Sequence, residues 1–190
     1  KEVDEITLPV NETNFGNSSD NIGLGANPSL PDGLAGPDGE YRDVRIVKGV
    51  AITPPSGGPT EPLAAVSGTT LLLYNGEGYL KDKSTSNHSP IYGSTVPTIT
   101  ATGPFDYNKY AATDHGGSVY FDGNNDYLDV SDASLDLDGY DWSIEAWWYP
   151  TNLSQQNQVL IDTRADISLL ILLNRTGSGD TYIYTVNGSG

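Results

Sequence analysis

The amino-acid sequence predicts an all-β protein folded as an antiparallel sandwich, and three observations carry that prediction. Between Trp142 and Tyr149 the chain alternates: Trp142, Ile144, Ala146 and Trp148 fall on one side, Ser143, Glu145, Trp147 and Tyr149 on the other. Successive side chains leave a strand on opposite faces, so this period of two marks a half-buried strand. Short apolar runs then recur between Gly, Pro, Asn and Asp turn signals at a spacing of about 8–12 residues, the habit of a sandwich. No apolar pattern of helical period persists beyond a single turn.

Taken in order, the first 50 residues are rich in Asn, Gly, Asp and Pro. Two apolar pieces interrupt them, Asn21–Asn27 and Tyr41–Val47, separated by a loop with turn chemistry at Pro31-Asp-Gly33 and Pro37-Asp-Gly39. Strict alternation in the second piece sets Arg42, Val44 and Ile46 against Tyr41, Asp43, Arg45 and Val47, and directs Val44 and Ile46 to a core. Residues 51–63 carry the Pro- and Gly-rich run AITPPSGGPTEPL and read as an extended linker or a surface loop. From 64 to 190 a second unit is expected. Thr69–Tyr74 is a strand, Asn75–Gly78 a turn and Leu80–Ser89 a polar loop. Ile91–Gly93 and Val96–Ala101 are short strands. Ser118–Phe121 and Tyr127–Val130 flank the turn Asp122-Gly-Asn-Asn125. Pro150 ends the alternating strand, because proline cannot donate to a central ladder. Gln158–Asp162, Ile167–Leu173 and Thr181–Val186 complete the series.

The run F-D-G-x-x-D-Y-L-x-V from Phe121 to Val130, the acidic loop after it, and W-S-I-E-A-W-W-Y-P from Trp142 to Pro150 resemble the opening strands of laminin-G-like, concanavalin A-like jelly rolls. The variant is similar to those in virion structural proteins of tailed phages, those of cyanobacteria in particular. Asp82-Lys-Ser84 matches the family's D-x-S loop. Gly39-Glu-Tyr-Arg-Asp-Val-Arg-Ile46 resembles its final strand, and Ile22-Gly23 the strand before that. The resemblance implies a jelly roll in which residues 1–50 look like the end of one unit and 64–190 like the beginning of the next, incomplete at its C-terminal end. Two arrangements then stand open. The first strands fold back to complete the sandwich of their own chain, or they complete that of a neighbour by strand addition.

Composition narrows the function. The formal net charge is −16, with 9 basic residues against 25 acidic. Nucleic-acid binding needs a basic footprint and is not expected. No apolar run approaches the roughly 18 residues of a membrane span. There is no Cys, so disulfide frameworks, thiol nucleophiles and zinc–thiolate sites are excluded. There is no Met either, and a chain without a start Met reads as processed or as part of something longer.

Three candidate sites emerge. Asp122, Asn124 and Asp126 set oxygen ligands at alternate positions, as a hard cation such as Ca²⁺ requires; the same residues equally suit a hairpin turn. The resemblance includes Ca²⁺-binding members. It also includes glucanases, which need two carboxylates on one strand face. Glu145 stands without a second carboxylate two residues away, so no enzyme is expected. Trp147 and Tyr149 share the outward face and suit either a covering subunit or a stacking platform for a surface glycan. His88 and His115 read as isolated. Six N-x-S/T sequons occur, at Asn11, Asn17, Asn87, Asn152, Asn174 and Asn187. The expectation is a structural module of a virion or extracellular assembly (a phage tail, fibre or decoration component) whose partners are copies of itself or neighbouring subunits. The alternative is a carbohydrate-binding adhesion module of a bacterial surface protein or extracellular filament.

Overall fold

A computed structural model describes residues 21–25, 36–53, 61–74, 81–92, 97–100, 117–124, 126–137, 140–163, 169–174 and 180–185. The readings at Pro31–Gly33, Asn75–Gly78, His115, Asn11, Asn17 and Asn187 lie outside these. Twelve strands follow in chain order: β1 Asn21–Gly25, β2 Asp38–Lys48, β3 Thr69–Tyr74, β4 Lys81–Asp82, β5 Ile91–Tyr92, β6 Thr98–Thr100, β7 Ser118–Asp122, β8 Tyr127–Ser131, β9 Trp142–Pro150, β10 Gln158–Asp162, β11 Leu169–Leu173 and β12 Thr181–Thr185. They form two antiparallel sheets, and no α-helix occurs among the described residues. The predicted strands are present in the predicted order. Those at 158–162 and 69–74 keep their expected bounds, since continuous apolar runs between turn signals leave little freedom at the ends.

In the first sheet the order is β12-β11-β10-β1-β8-β5, so β1 is clasped between β10 and β8. In the second sheet β2 takes the corresponding place. Its first half pairs with β7 and its second half with β3 on one side, while β9 runs along the whole of the other. Each sheet is therefore built around a strand drawn from residues 21–48 of the same chain. Ile22 and Leu24 from β1 and Tyr41, Val44 and Ile46 from β2 meet Leu71, Leu73, Val119, Phe121, Leu128 and Val130 in one buried core. Each such side chain removed from water contributes about 1.5–3 kcal/mol. A 3-10 turn at Ala133–Leu135, capped by Asp132, drops Leu135 into the same core, and Leu137 follows.

Strict alternation fails in β2. Tyr41, Val44 and Ile46 all face the core, because the register against β9 shifts between Arg42 and Arg45. The extra residue is a bulge at Asp43, whose φ of 46° lies in the left-handed region that Asp tolerates better than most residues. A bulge changes which face the following residues occupy, and no period-two reading can anticipate it.

Gly39 in β2 is required for close approach. A Cβ there would clash with the Tyr149 carbonyl oxygen and lie 2.7 Å from Trp148 Cη2. The absent side chain makes room for the indole ring. Trp148 packs against Tyr41 at 4.5 Å with the rings tilted by 46°, and Tyr41 meets Phe121 edge-on at 5.3 Å.

Because β1 and β2 occupy the middle of both sheets, residues 64–190 expressed alone are expected to lack a cooperative urea transition, whereas the full chain shows one. A sharp transition in the fragment with an undiminished denaturant dependence would contradict the central role of residues 21–48.

Candidate functional site

The first candidate is the turn between β7 and β8. Asp122 and Asn124 are exposed, while Asp126 is buried. Asp122 Oδ1 accepts the Asn124 amide at 2.9 Å, and Asp126 Oδ2 accepts the Asp122 amide at 3.1 Å. Gln155 Nε2 donates to the carbonyls of Gly36 and Gly123 and ties the turn to the start of β2 and the loop after β9. These contacts are those of a turn held by its own side chains, with Gly123 at a φ of 79°. Among the described residues no three Asp, Glu or His side chains gather in a metal-binding group.

The second candidate is the outer face of the β2 sheet. Since Trp148 faces the core, its neighbours Trp147 and Tyr149 face outward, as the alternation required. Tyr149 is 67 % exposed and Trp147 is half-buried. Pairing places Thr98, Tyr120, Glu40 and Tyr149 in one row across β6, β7, β2 and β9. Two tyrosines thus flank one carboxylate, each beside it at cross-strand distance. Thr100 Oγ1 donates to Glu40 at 3.2 Å. Tyr120 donates to Asp38 Oδ1 at 3.3 Å, and Thr151 Oγ1 donates to the same oxygen at 2.6 Å. The Tyr120 hydroxyl pKa is raised, first by partial loss of solvent and then by the Asp38 charge. Neither Glu40 nor Tyr120 stood out in the sequence, because only the strand register brings them beside Tyr149.

Glu145 lies on this same outward side but is not open to water. Arg45 Nε donates to its Oε2 at 2.7 Å, Arg45 Nη2 contacts the same oxygen, and Arg45 Nη1 donates to the Ala64 carbonyl at 2.6 Å. Glu145 is thus a half-buried partner of Arg45, which anchors the segment entering β3.

The isolated reading of His88 is corrected by the fold. Its Nε2 lies 3.0 Å from the Thr70 carbonyl and 3.2 Å from Ser134 Oγ, and its Nδ1 lies 3.8 Å from Asp132 Oδ2. Ser, His and Asp are thus adjacent, joined across the two sheets by chain segments 46 residues apart. The roles do not follow the usual nucleophile arrangement. A carbonyl oxygen only accepts, so Nε2 must carry the hydrogen that Thr70 receives and cannot take a proton from Ser134. The cluster works instead as a clasp.

Its anchor is Asp82, which is 4 % exposed. Asp82 Oδ1 accepts the amides of Leu72 at 2.9 Å and Ser84 at 2.8 Å. Its Oδ2 accepts Ser84 Oγ at 2.7 Å and the His88 amide at 2.8 Å. The D-x-S part of the expected polar loop folds inward around this carboxylate. A polar residue whose burial depends on backbone donors from distant sequence is not legible from a local pattern.

Comparison with known proteins finds no matching family model, and no curated protein and no solved structure matches significantly. Among the described residues no helix is long and apolar enough to cross a membrane.

Two outcomes follow from the clasp. Asp82→Ala leaves three backbone donors and a hydroxyl buried without their acceptor, and each orphaned group costs about 1–3 kcal/mol. The urea midpoint is expected to fall by an amount worth about 3 kcal/mol or more, whereas Ser134→Ala, which removes only partly exposed contacts to His88, Ser86 and Asp132, lowers it less. The second concerns acid. Hydrogen bonds from Ser134 hold the Asp132 carboxyl below its ordinary range, with His88 a lesser cause. The ionised form is thus favoured in the fold. Its contribution is complete above the unfolded-state value of about 4 and is lost as pH falls through the lower folded value. Urea midpoints measured from pH 6 down to pH 2 should fall less steeply in Asp132→Asn than in the parent; identical slopes would contradict the assignment.

Proposed function

We propose that this chain is a structural and interaction module of a virion or extracellular assembly, a laminin-G-like jelly roll that works by packing against neighbouring subunits rather than by catalysis. The observation that carries this reading is β9. It is a nine-residue strand at the margin of its sheet, paired among the described residues with β2 alone, and it presents Trp147 and Tyr149 on its outward face. Long edge strands invite pairing with another chain, and exposed aromatics mark contact surfaces. The motifs that resemble virion proteins of tailed phages direct the choice of assembly toward a tail, fibre or decoration component.

A second reading has its own support. In the row Tyr120–Glu40–Tyr149, two aromatic rings stand on either side of a carboxylate, with Thr98 and Thr100 nearby. Aromatic faces stack on the apolar faces of pyranose rings, and a carboxylate accepts hydrogen bonds from sugar hydroxyls. This favours a surface glycan as ligand and an adhesive role.

Two measurements separate the readings. Electron microscopy of the native material is expected to find copies of the chain in a repeating array, with β9 or the Tyr149 face against a neighbour. Dispersed single copies would remove the first reading. On a saccharide array, the second reading expects binding that weakens about two- to tenfold in Tyr149→Ala, the loss of one aromatic contact. A parent chain that binds no saccharide on the array removes it.

A further inference from the structure

We infer that β9 is the seat of a two-fold contact in which the same strand of a second copy pairs antiparallel to it, centred on Ala146, so that two β2 sheets become one. The inference rests on the interaction-module reading and names its surface and partner.

The margins of the two sheets differ in kind. Among the described residues, β4 and β5 at the other margins have two residues each, β6 has three, and β12 has five. Short margins offer little to pair with. β9 has nine residues, no lysine or arginine, and its only proline at the last position. The bulge that would twist an edge away from a partner lies in β2 and not in β9. Among the described residues, lysine, an interior proline and a bulge, three protections usually built into an edge, are therefore missing from the longest one.

Burial along β9 is incomplete on the side that should be dry. Trp142, Ile144 and Trp148 face the core but are only partly buried, and Ala146, between them, is exposed. The sandwich is thin at this margin, and apolar surface remains for a partner to cover.

Charge leaves this strand open to a second copy. At a net charge of −16, two copies repel each other wherever their acidic surfaces meet. β9 contributes one charged side chain, Glu145, which is already paired with Arg45 in its own chain. The strand is a neutral line on an acidic molecule and is the place where like molecules can approach.

The pattern is also self-complementary. A two-fold axis through Ala146 sets this small residue against itself, where the strands cross the axis. Ile144 then stands beside Trp148 of the second copy, on the core side. Glu145 stands beside Trp147 of the second copy and Ser143 beside its Tyr149, on the outer side. Core-facing residues meet core-facing residues, as any continuous sheet requires.

The test uses the full chain. Sedimentation equilibrium is expected to show a dimer, and Ala146→Lys and Ala146→Glu are each expected to weaken it about tenfold or more, because each places like charges across the axis. An equimolar mixture of the two variants is expected to regain the dimer, since position 146 then faces its opposite charge. Ala146 is exposed, so neither variant should lower the urea midpoint of the monomer. The absence of any other cysteine permits a direct check. Directly opposed residues in antiparallel strands have Cα atoms about 4.5–5.5 Å apart, within disulfide reach. Ala146→Cys should give a covalent dimer on mild oxidation, whereas Ile91→Cys at the β5 margin should not. A dimer indifferent to Ala146→Lys overturns this inference and leaves the interaction-module reading standing on another surface. A parent chain that stays monomeric at about 100 µM, well above the Kd of a stable dimer, also overturns it; electron microscopy of native material then decides the broader reading separately.

Discussion

The structure depends on what happens at Arg42 and Asp43. On one flank β2 pairs first with β7 and then with β3, and the change falls between Tyr41 and Val44. Both side chains at the change are charged and only 2 % exposed. A buried charge is tolerated when it is paired and hydrogen-bonded. Arg42 Nη1 donates to the Gly117 carbonyl at 2.5 Å, at the entrance to β7. Asp43 Oδ2 accepts the Leu63 amide at 3.3 Å, on the approach to β3, and Asp43 Oδ1 lies 3.7 Å from Arg42 Nε. One ion pair therefore stitches both incoming segments to the same strand. The left-handed backbone at Asp43 provides the bulge that leaves Tyr41 and Val44 both facing inward. Without it, one half of β2 would turn its apolar residues to water.

The same logic of one central group holding several segments recurs at the end of the sandwich where Asp82 lies. Its carboxylate gathers donors from β3, from its own loop and from His88, while His88 reaches across to the capped turn after β8. Polar groups are buried here in a connected set, which fixes geometry as well as adding stability. The Tyr41 hydroxyl is a contrast. It is buried beside Trp148 with no hydrogen-bond partner among the described residues, and burial keeps its pKa well above the ordinary tyrosine value. Tyr41 acts in the core as an aromatic ring, packed between Phe121 and the Trp148 indole that Gly39 admits.

Much of this was legible in the sequence and part was not, for a physical reason. Runs such as Gln158–Asp162 and Thr69–Tyr74 declare themselves, because the signal for a buried strand is local. The outward placement of Trp147 and Tyr149 was legible for the same reason, since Trp148 and Ile144 set the phase. What was missed is set by contacts far apart in the chain. The bulge at Asp43 answers to strands that begin at 69 and 118. The row of Glu40 and Tyr120 beside Tyr149 exists only once register is known. His88 meets Ser134 and Asp132 only because the two sheets close on each other. The turn at Asp122 illustrates the opposite difficulty. Its alternating oxygens suit a cation or a hairpin equally, and the hydrogen bonds observed there are those of the hairpin.

The placement of β1 and β2 bears on how the chain comes into being. Both sheets are centred on strands that precede their neighbours in the chain, so each later strand pairs at an edge of strands already synthesised. All strands of the β2 sheet precede Thr151, so that layer can close while β10, β11 and β12 are still being made. The other layer then grows outward from β1, as β10 pairs with a strand synthesised more than a hundred residues earlier. Closing a loop of that length costs entropy before any contact compensates for it. Until β10 pairs, the flank of β1 that it takes is an unpaired edge, and β10, β11 and β12 cap it in turn.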